Sequence, residues 1–259
     1  MVNKEDARTT GMRRSCRIAA HVMDAASKAV RVGMTTADVE AVAAREIARL
    51  GGRSAFLGYH GFPGVLCVSI NDEILHGIPS SSRRMSEGDL VKLDLGVVVD
   101  GYYSDTATTI LLDDGSDFSK KKRALMDATL SSLMACACGL VRAGMPVLMI
   151  SSIIEGHLAS KGYKPIDDMT GHGVGIRLHE APAIPNAVPP GIEDLSATND
   201  MLVAGMTIAV EPMVCMGATK CRVKSDGWTI VMEDGLPAAH FEHTILITDG
   251  APEILTRIP

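Results

Sequence analysis

The chain has 259 residues, of which 46% are hydrophobic and 22% charged, and its formal net charge is −6. This length suits one large or two small globular domains with a filled core. The negative charge gives no general attraction to nucleic acid or anionic membranes, and no apolar run is long enough to span a bilayer. The polar start, Asn3 to Asp6, argues against a signal peptide. Six cysteines without a zinc-type pair or a disulfide framework favour free thiols and a cytoplasmic location.

Hydrophobic periodicity predicts the secondary structure in chain order. Apolar residues at helical spacing predict helices over residues 6–31, 36–50, 120–141 and 147–160. Thr36 is the expected N-cap of the second helix. Residues 54–63 are too rich in glycine and proline for regular structure, and the proline-rich residues 183–192 are expected to form a surface loop. Strand-like runs cover residues 65–70, 207–214, 228–232 and 241–248.

A tight hairpin is the strongest local signal, because Asp100-Gly101 separates two strand-like runs. With a two-residue loop, Gly96 would face Asp105, and Asp94 would lie one diagonal step from Asp105 on the same side of the sheet. Diagonal neighbours are roughly 7–8 Å apart, so the two carboxylates can meet over one small object. Such carboxylates repel unless one is protonated or a cation lies between them. Gly96 would leave room for that cation; the alternative is a half-exposed hairpin whose acids face water.

The two halves of the chain share an ordered pattern of motifs. Each half has His-x-x-Pro, then a glycine with an acid six residues later, then an Asp-Gly pair and another acid. The paired acids are Asp94 and Asp105 in the first half and Glu211 and Glu242 in the second. We therefore expect one domain over residues 1–259, with an internal repeat at about 65–145 and 165–250. A pseudo-twofold axis between the halves would bring both pairs of acids together.

Four carboxylates, with candidate imidazoles at His76, His172 and His179, suit two divalent first-row metals a few ångströms apart. Such a pair activates water and polarises a carbonyl, which is hydrolase chemistry. The sequence lacks the thermolysin-type H-E-x-x-H motif, a nucleophile elbow, a P-loop and a dinucleotide fingerprint. The remaining histidines are interpreted as ordinary polar residues: His21, His60, His157, His240 and His243.

Several longer motifs resemble those of the type I methionine aminopeptidases, over about residues 5–257. They include Gly58-Tyr-His-Gly-Phe-Pro63, Asn71-Asp-Glu-Ile-Leu-His76-Gly-Ile-Pro79, Gly171-His-Gly-Val-Gly175 and Gly205-Met-Thr-Ile-Ala-Val-Glu-Pro-Met213. The resemblance implies an α+β pita-bread fold, in which two pseudo-twofold-related halves of antiparallel strands carry helices outside and a dinuclear metal site at the centre.

The resemblance also implies a role for each matched residue. The metal ligands would be Asp94, Asp105, His172, Glu211 and Glu242. Glu211 would also move a proton from the attacking water, His179 would bind the substrate carbonyl, and His76 would assist near the scissile amide. The methionine pocket would use Tyr59, Phe62, Cys67, Leu178 and Trp228. Two departures border this pocket: Phe56, where several family members have cysteine, and Leu178, where many bacterial ones have phenylalanine.

The implied activity is removal of N-terminal methionine from nascent polypeptides when the second residue is small. The two metal ions would be cobalt, manganese, iron or zinc, since the ligands accept each. Xaa-Pro aminopeptidases and prolidases share the fold and ligands, but they usually carry an extra N-terminal domain, which we do not expect here, and they do not resemble residues Gly58 to Pro63. We also expect no added zinc-binding or ribosome-docking domain in the approximately seventy residues before His76. Pita-bread binding proteins without catalysis are a further alternative, which the complete ligand set disfavours. We expect a monomer without membrane contact. Lys220, Arg222 and Lys224 are candidates for transient ribosome contact, although the sequence favours an ordinary solvated loop at this stretch.

Overall fold

The protein is described from a computed structural model, which covers residues 7–166, 168–195 and 200–257. Its helices are α1 (Ala7–Ala29), α2 (Thr36–Arg49), α3 (Asp117–Ala135) and α4 (Leu148–Ala159), with a 3₁₀ turn at Tyr59–Gly61 and a π-helical turn at Cys136–Leu140. Its strands are β1 (Arg53–Ser54), β2 (Cys67–Ile70), β3 (Glu73–Leu75), β4 (Leu90–Val99), β5 (Tyr102–Leu111), β6 (Thr170–Gly173), β7 (Glu180–Pro185), β8 (Thr207–Val210), β9 (Met213–Cys215), β10 (Cys221–Val223), β11 (Ile230–Met232), β12 (Ala238–His240), β13 (Glu242–Leu246) and β14 (Glu253–Ile254).

One antiparallel sheet runs through both halves of the chain, in the order β1-β4-β5-β13-β8-β6-β7, with β2 beside β4 and β14 beside β13. Two smaller sheets, β10-β11-β3 and β9-β12, adjoin it. The centre of the large sheet is the β5–β13 contact, where the two halves meet. The predicted α+β architecture is confirmed, while the single domain over 1–259 and its repeat boundaries stay predictions.

The hairpin prediction is confirmed in register and turn. Gly96 pairs with Asp105 and Val99 with Tyr102 across β4 and β5. Asp100 and Gly101 have φ angles of 51° and 84°. Two successive positive φ angles form the turn whose twist matches that of the strands on either side. Ten residues of each strand are thereby paired, so every side chain on them has a defined face.

Helices cover one face of the β4 region and leave the other face for polar groups. The odd-numbered residues Val91 to Val99 pack with α1 and α2 in one apolar cluster. Lys92, Asp94 and Gly96 point the opposite way, because successive side chains alternate across a strand. A second cluster joins α3 and α4 to β8 and β13. Among the described residues, no helix is long and apolar enough to cross a membrane.

Several predicted element boundaries change. Thr35, not Thr36, caps α2, since its hydroxyl accepts from Asp38 N at 3.1 Å and Asp38 accepts from Thr35 N at 2.8 Å. The helix predicted at residues 120–141 begins at Asp117 and leaves α geometry after Ala135. The first helix ends at Ala29 rather than residue 31, and its predicted start at Asp6 is outside the described residues.

Two predictions made around prolines are wrong. Residues 207–214 do not form one strand: β8 ends at Val210 and β9 begins at Met213 in another sheet. Pro212 between them has no N–H for a ladder bond. The loop expected at residues 183–192 begins only after β7, which ends at Pro185. This strand tolerates proline because it lies at the sheet edge.

Candidate active site

Three acidic residues on neighbouring strands meet on the inner face of the large sheet. Asp94 of β4 and Glu242 of β13 lie opposite the same small residue, Ala107 of β5, from its two sides. Asp105 is two residues away from Ala107 on β5 and therefore shares its face. One carboxylate oxygen from each of these acids lies within 4.8 Å of the others. Strand register alone thus brings the three carboxylates together.

Gly96 does not leave space for a cation as the sequence interpretation supposed. A Cβ at this position would lie 2.8 Å from both Ala55 Cβ and Phe56 Cε1. The missing side chain instead allows the loop after β1 to approach β4. Phe56 thereby reaches the side of the cavity above the acids.

His172 and Glu211 complete the group from the second half of the chain. His172 Nε2 is 3.4 Å from Glu211 Oε1 and 3.8 Å from Asp105 Oδ2, and its Nδ1 is 3.0 Å from Gly173 O. A Cβ on Gly171 would lie 2.3 Å from Ala209 O, so glycine is required for β6 to pair closely with β8. We call these five residues the floor: Asp94, Asp105, His172, Glu211 and Glu242.

The floor places four carboxyl groups beside one imidazole, so the environment disfavours ionisation of all four carboxyl groups. Burial raises the pKa of Asp94 to about 7 and that of Glu211 to about 7. Burial first, and the neighbouring carboxylates second, raise the pKa of Asp105 and of Glu242 well above the ordinary range. Burial lowers the pKa of His172, although the Glu211 carboxylate opposes this.

This donor set fits divalent metal ions. Glu242 Oε1 is buried and has no hydrogen-bond partner within the described parts of the chain. The ligand atoms of His172, Glu211 and Glu242 form a second group within 4.8 Å, which shares Glu242 with the first. Carboxylate oxygens with one imidazole suit first-row divalent cations, and such cations would remove the repulsion among the acids.

An apolar cavity of about 150 Å³ opens above the floor. Every pocket and catalytic residue predicted from the sequence lines it, and so do Phe56 and Leu75. The Phe62 and Trp228 ring centroids are 5.1 Å apart, and those of Phe56 and Phe62 are 6.5 Å apart. We call the following residues the wall: Phe56, Tyr59, Phe62, Cys67, Leu178 and Trp228. Their roles in binding stay predictions.

Two further histidines stand beside the floor. His179 lies with its ring centroid 4.2 Å from that of His172, and its Nδ1 is 2.6 Å from the Tyr59 hydroxyl oxygen. His76 has a φ of 54° and packs against Trp228, with the two centroids 6.1 Å apart. Burial lowers the pKa of both, that of His76 to about 4, and His76 contributes to the shift at His179. Both side chains are therefore neutral imidazoles that can donate one hydrogen bond into the cavity.

His240 is a residue that the sequence interpretation missed. It is 1% exposed, and its Nε2 lies 3.6 Å from Glu211 Oε2. Burial lowers its pKa to about 4, against the opposing effect of Asp94. The available signal was its position two residues before Glu242, but Phe241 separates β12 from β13, so strand alternation could not place the ring.

Comparisons with known proteins agree with this geometry. Residues 10–249 match metallopeptidase family M24. A methionine aminopeptidase of Clostridium acetobutylicum is 37% identical over 258 residues, which are 99% of this chain and 98% of the relative. The crystal structure of a methionine aminopeptidase from Thermotoga maritima has a TM-score of 0.91 and 37% identity, covering 98% of both chains.

A prolidase from Pyrococcus furiosus is more distant. It has 23% identity and a TM-score of 0.75, and the match covers 98% of this chain but 65% of the prolidase. This likeness extends to the fold alone, whereas the methionine aminopeptidases match in sequence over nearly their whole length. The chain therefore belongs to metallopeptidase family M24 and, within that family, to the methionine aminopeptidases.

Proposed function

We propose that this protein removes the N-terminal methionine from peptides and nascent polypeptides whose second residue is small. The observation that carries the proposal is that the floor and the apolar wall residues line the same cavity. A substrate placed there would have its first side chain in the wall and its first peptide bond over the floor. Its chain could continue through the adjoining cleft, which His76, His172, His179 and Glu211 also border.

The enzyme is a metal-dependent hydrolase, and we assign the metal ligands to the five floor residues. Two divalent cations, when bound, supply Lewis acidity for the peptide carbonyl, an activated water and an anchor for the free α-amine. The residues supply orientation: Asp105 N donates to Thr244 Oγ1 at 3.1 Å, and Thr106 Oγ1 donates to Glu242 O at 3.0 Å. These bonds lock β5 against β13 and keep two carboxylates in a fixed relation.

We assign proton transfer to Glu211, whose carboxylate lies between His172 and His240. It would accept a proton from the attacking water and deliver it to the departing amine. His179, above His172, would donate to the carbonyl oxygen as negative charge develops there. His76, which packs beside Trp228 in the same cavity, would donate near the scissile amide.

We assign methionine selectivity to the wall. Its aromatic and aliphatic side chains offer apolar contact along a narrow space, and Cys67 adds a small, polarisable side chain. Phe56 and Leu178, the two departures from the family motifs that border the expected pocket, both line the cavity and contribute to its shape. Both are buried, at 9% and 3% exposure, and their rigid packing narrows the space for branched side chains.

We also propose that the enzyme acts in the cytoplasm on nascent chains, as a monomer whose floor comes entirely from one chain. The cysteines with described side chains form no disulfide, which accords with a reducing compartment. Two of the basic residues considered for ribosome contact form ion pairs within the protein. Lys220 Nζ is 3.0 Å from Glu233 Oε2 and Lys224 Nζ is 3.2 Å from Glu73 Oε1, so both charges are partly balanced within the protein.

Initial rates on three peptides test the activity: Met-Ala-Ser, its N-acetylated form, and an Xaa-Pro peptide without methionine. Each is measured with the metal-free protein and after addition of manganese or cobalt. We expect metal-dependent cleavage of Met-Ala-Ser and no reaction of the acetylated peptide, since the α-amine is blocked. Faster cleavage of the Xaa-Pro peptide would contradict the proposal and favour the prolidase-like alternative.

A further inference from the structure

The hydroxyl group of Tyr59 is hydrogen-bonded to a catalytic histidine rather than to solvent alone. Its oxygen lies 2.6 Å from His179 Nδ1, and the two ring centroids are 5.3 Å apart. We propose that Tyr59 is a positioning residue, whose hydroxyl donates to Nδ1 of His179 and thereby keeps the proton of the neutral imidazole on Nε2. This inference rests on the proposed function, in which His179 donates to the substrate carbonyl.

The backbone around Tyr59 holds the hydroxyl at a defined point. Tyr59 N donates to Phe56 O at 2.9 Å, and Gly58 N donates to Phe62 O at 2.8 Å. Ser54 Oγ accepts from Phe56 N at 3.0 Å, which ties the start of the loop to its turn. Gly58 has a φ of 82°, a conformation that side chains rarely adopt. The short loop therefore presents the Tyr59 ring at a fixed distance from β6 and β7.

The direction of this hydrogen bond follows from the two groups. A phenol is the stronger donor, and an unprotonated imidazole nitrogen is the stronger acceptor, so the hydroxyl donates and Nδ1 accepts. Burial, followed by the nearby Asp105 charge, raises the pKa of Tyr59, which keeps the phenol protonated. A neutral imidazole carries one proton, and with Nδ1 accepting, that proton is on Nε2.

The other tautomer, with the proton on Nδ1, would fit a different role for His179, that of a metal ligand. Such a role is geometrically open, because Asp105, His172 and His179 can present three ligand atoms within 4.8 Å of one another. If His179 bound a metal through Nε2, that nitrogen would need a free lone pair. Nδ1 would then carry the proton and donate to the Tyr59 oxygen. The position of a single proton thus separates a carbonyl donor from a sixth metal ligand. We assign both metal positions to the five floor residues, which leaves His179 as the donor.

Nitrogen NMR of the histidine rings measures this proton directly. Zinc-loaded protein with ¹⁵N-labelled histidine gives long-range ¹H–¹⁵N patterns that differ between the two tautomers, and His179→Ala identifies the signals of interest. We expect the Nε2–H form in the wild-type protein and a mixture of both forms in Tyr59→Phe. A wild-type ring with Nδ1–H, or a Tyr59→Phe ring that keeps the pure Nε2–H form, would overturn the proposal.

Kinetics give a second, independent test on Met-Ala-Ser. Tyr59→Phe keeps the ring in the wall and removes one hydrogen bond, so kcat should fall about fivefold to tenfold while KM changes less than about twofold. In a His179→Ala background the same substitution should have no further effect, because its partner is gone. A loss of equal size in both backgrounds would show that Tyr59 acts without His179.

Tyr103→Phe is the matched control, since it removes a hydroxyl from the same apolar cluster and leaves the bond between Tyr59 and His179 intact. It should keep the wild-type kcat and the wild-type NMR pattern. If the wild-type enzyme did not cleave Met-Ala-Ser at all, the proposed function would fail. The NMR result would still decide how Tyr59 and His179 share their proton.

Discussion

The floor and the wall of the cavity differ in how the backbone holds their side chains. Asp94, Asp105 and Glu242 lie on three adjacent strands, so the ladder that builds the sheet also sets their separations. Most of the wall comes from loops: Tyr59 belongs to a 3₁₀ turn, and Trp228 precedes β11 in a turn anchored by Asp226. Side-chain positions that are fixed by strand register persist when surrounding residues change. Side-chain positions that depend on loops from distant parts of the chain can differ between relatives.

The two regions also differ in what stabilises them. The floor brings like charges together at an electrostatic cost, which burial increases. The wall is stabilised by apolar and aromatic contacts, which bring no like charges together. Changes in the floor should therefore affect the chemistry strongly and stability weakly. Changes in the wall should affect the choice of substrate.

The largest effect is expected from Asp94→Asn. An amide cannot supply the anionic oxygen that a divalent cation needs, and the lost stabilisation of several kcal/mol corresponds to at least about 10³-fold in kcat/KM. Rates on Met-Ala-Ser and metal content by elemental analysis measure this. A variant with full metal content and more than about a tenth of the wild-type rate would refute the role of the hairpin in the floor.

Stability of the same variant without metal tests the charge argument. Burial raises the pKa of Asp94 from 3.8 to about 7. The stability linked to this proton is present at low pH and is lost as the pH rises through the folded-state value. The amide that replaces the carboxyl group in Asp94→Asn binds no proton, so thermal unfolding should show a smaller loss of stability in the variant than in the wild type between about pH 4 and 7. Equal losses of stability in the variant and the wild type would mean that ionisation of Asp94 does not destabilise the folded protein.

The next largest effects are expected at two adjacent histidines with different proposed roles, His172 as a metal ligand and His179 as a hydrogen-bond donor. His172→Ala should lower metal occupancy, because His172 reaches both Asp105 and Glu211. His179→Ala should keep the metal but lose about 10²–10³ in kcat, the usual loss for one donor to a developing oxyanion. Elemental analysis beside kinetics distinguishes them. Equal metal loss in both variants would make His179 a ligand and contradict its role as a donor.

Features of the site that depend on strand pairing could be predicted from the sequence, whereas features that depend on loops and on packing between distant elements could not. The Asp100-Gly101 turn and alternating strands were enough to place Asp94 and Asp105 together. Pro212, which divides two sheets, and the packing at Gly96 could not be foreseen, since they depend on neighbours from other elements. The contact of Tyr59 with His179 spans 120 residues and has no local signal.

A smaller effect on kcat/KM is expected for substrates whose first side chain is branched and fits the wall less well. Leucine has the branch at Cγ where methionine is unbranched, and one misplaced group of this size typically costs about 10–200-fold in kcat/KM. Leu-Ala-Ser should react within this range below Met-Ala-Ser. Norleucine is the matched control, because it is unbranched and should react nearly as well as methionine. Equal rates for leucine and methionine would show that the wall does not select by shape.

The smallest effect on catalysis is expected at Lys92, which lies on β4 two residues before Asp94. This side chain is 1% exposed, and its Nζ donates to Asn71 O at 2.7 Å and Ala238 O at 3.0 Å. It thus ties β4 to β12 and to the turn between β2 and β3. Lys92→Met fills the same space without a hydrogen-bond donor. Leaving a buried carbonyl without its donor lowers the free energy of unfolding by about 1–3 kcal/mol.

Thermal unfolding should show this cost as a lower Tm for Lys92→Met, and a still lower one for Lys92→Ala, which adds a cavity. The kcat on Met-Ala-Ser should stay within about threefold of wild type for Lys92→Met, a shift of less than about 1 kcal/mol, because Asp94 and Asp105 remain held by strand register. An unchanged Tm would mean that the ammonium group gives no net stability. A large fall in kcat with an unchanged Tm would mean that strand register alone does not hold the floor, and that the buried ammonium group also positions its carboxylates.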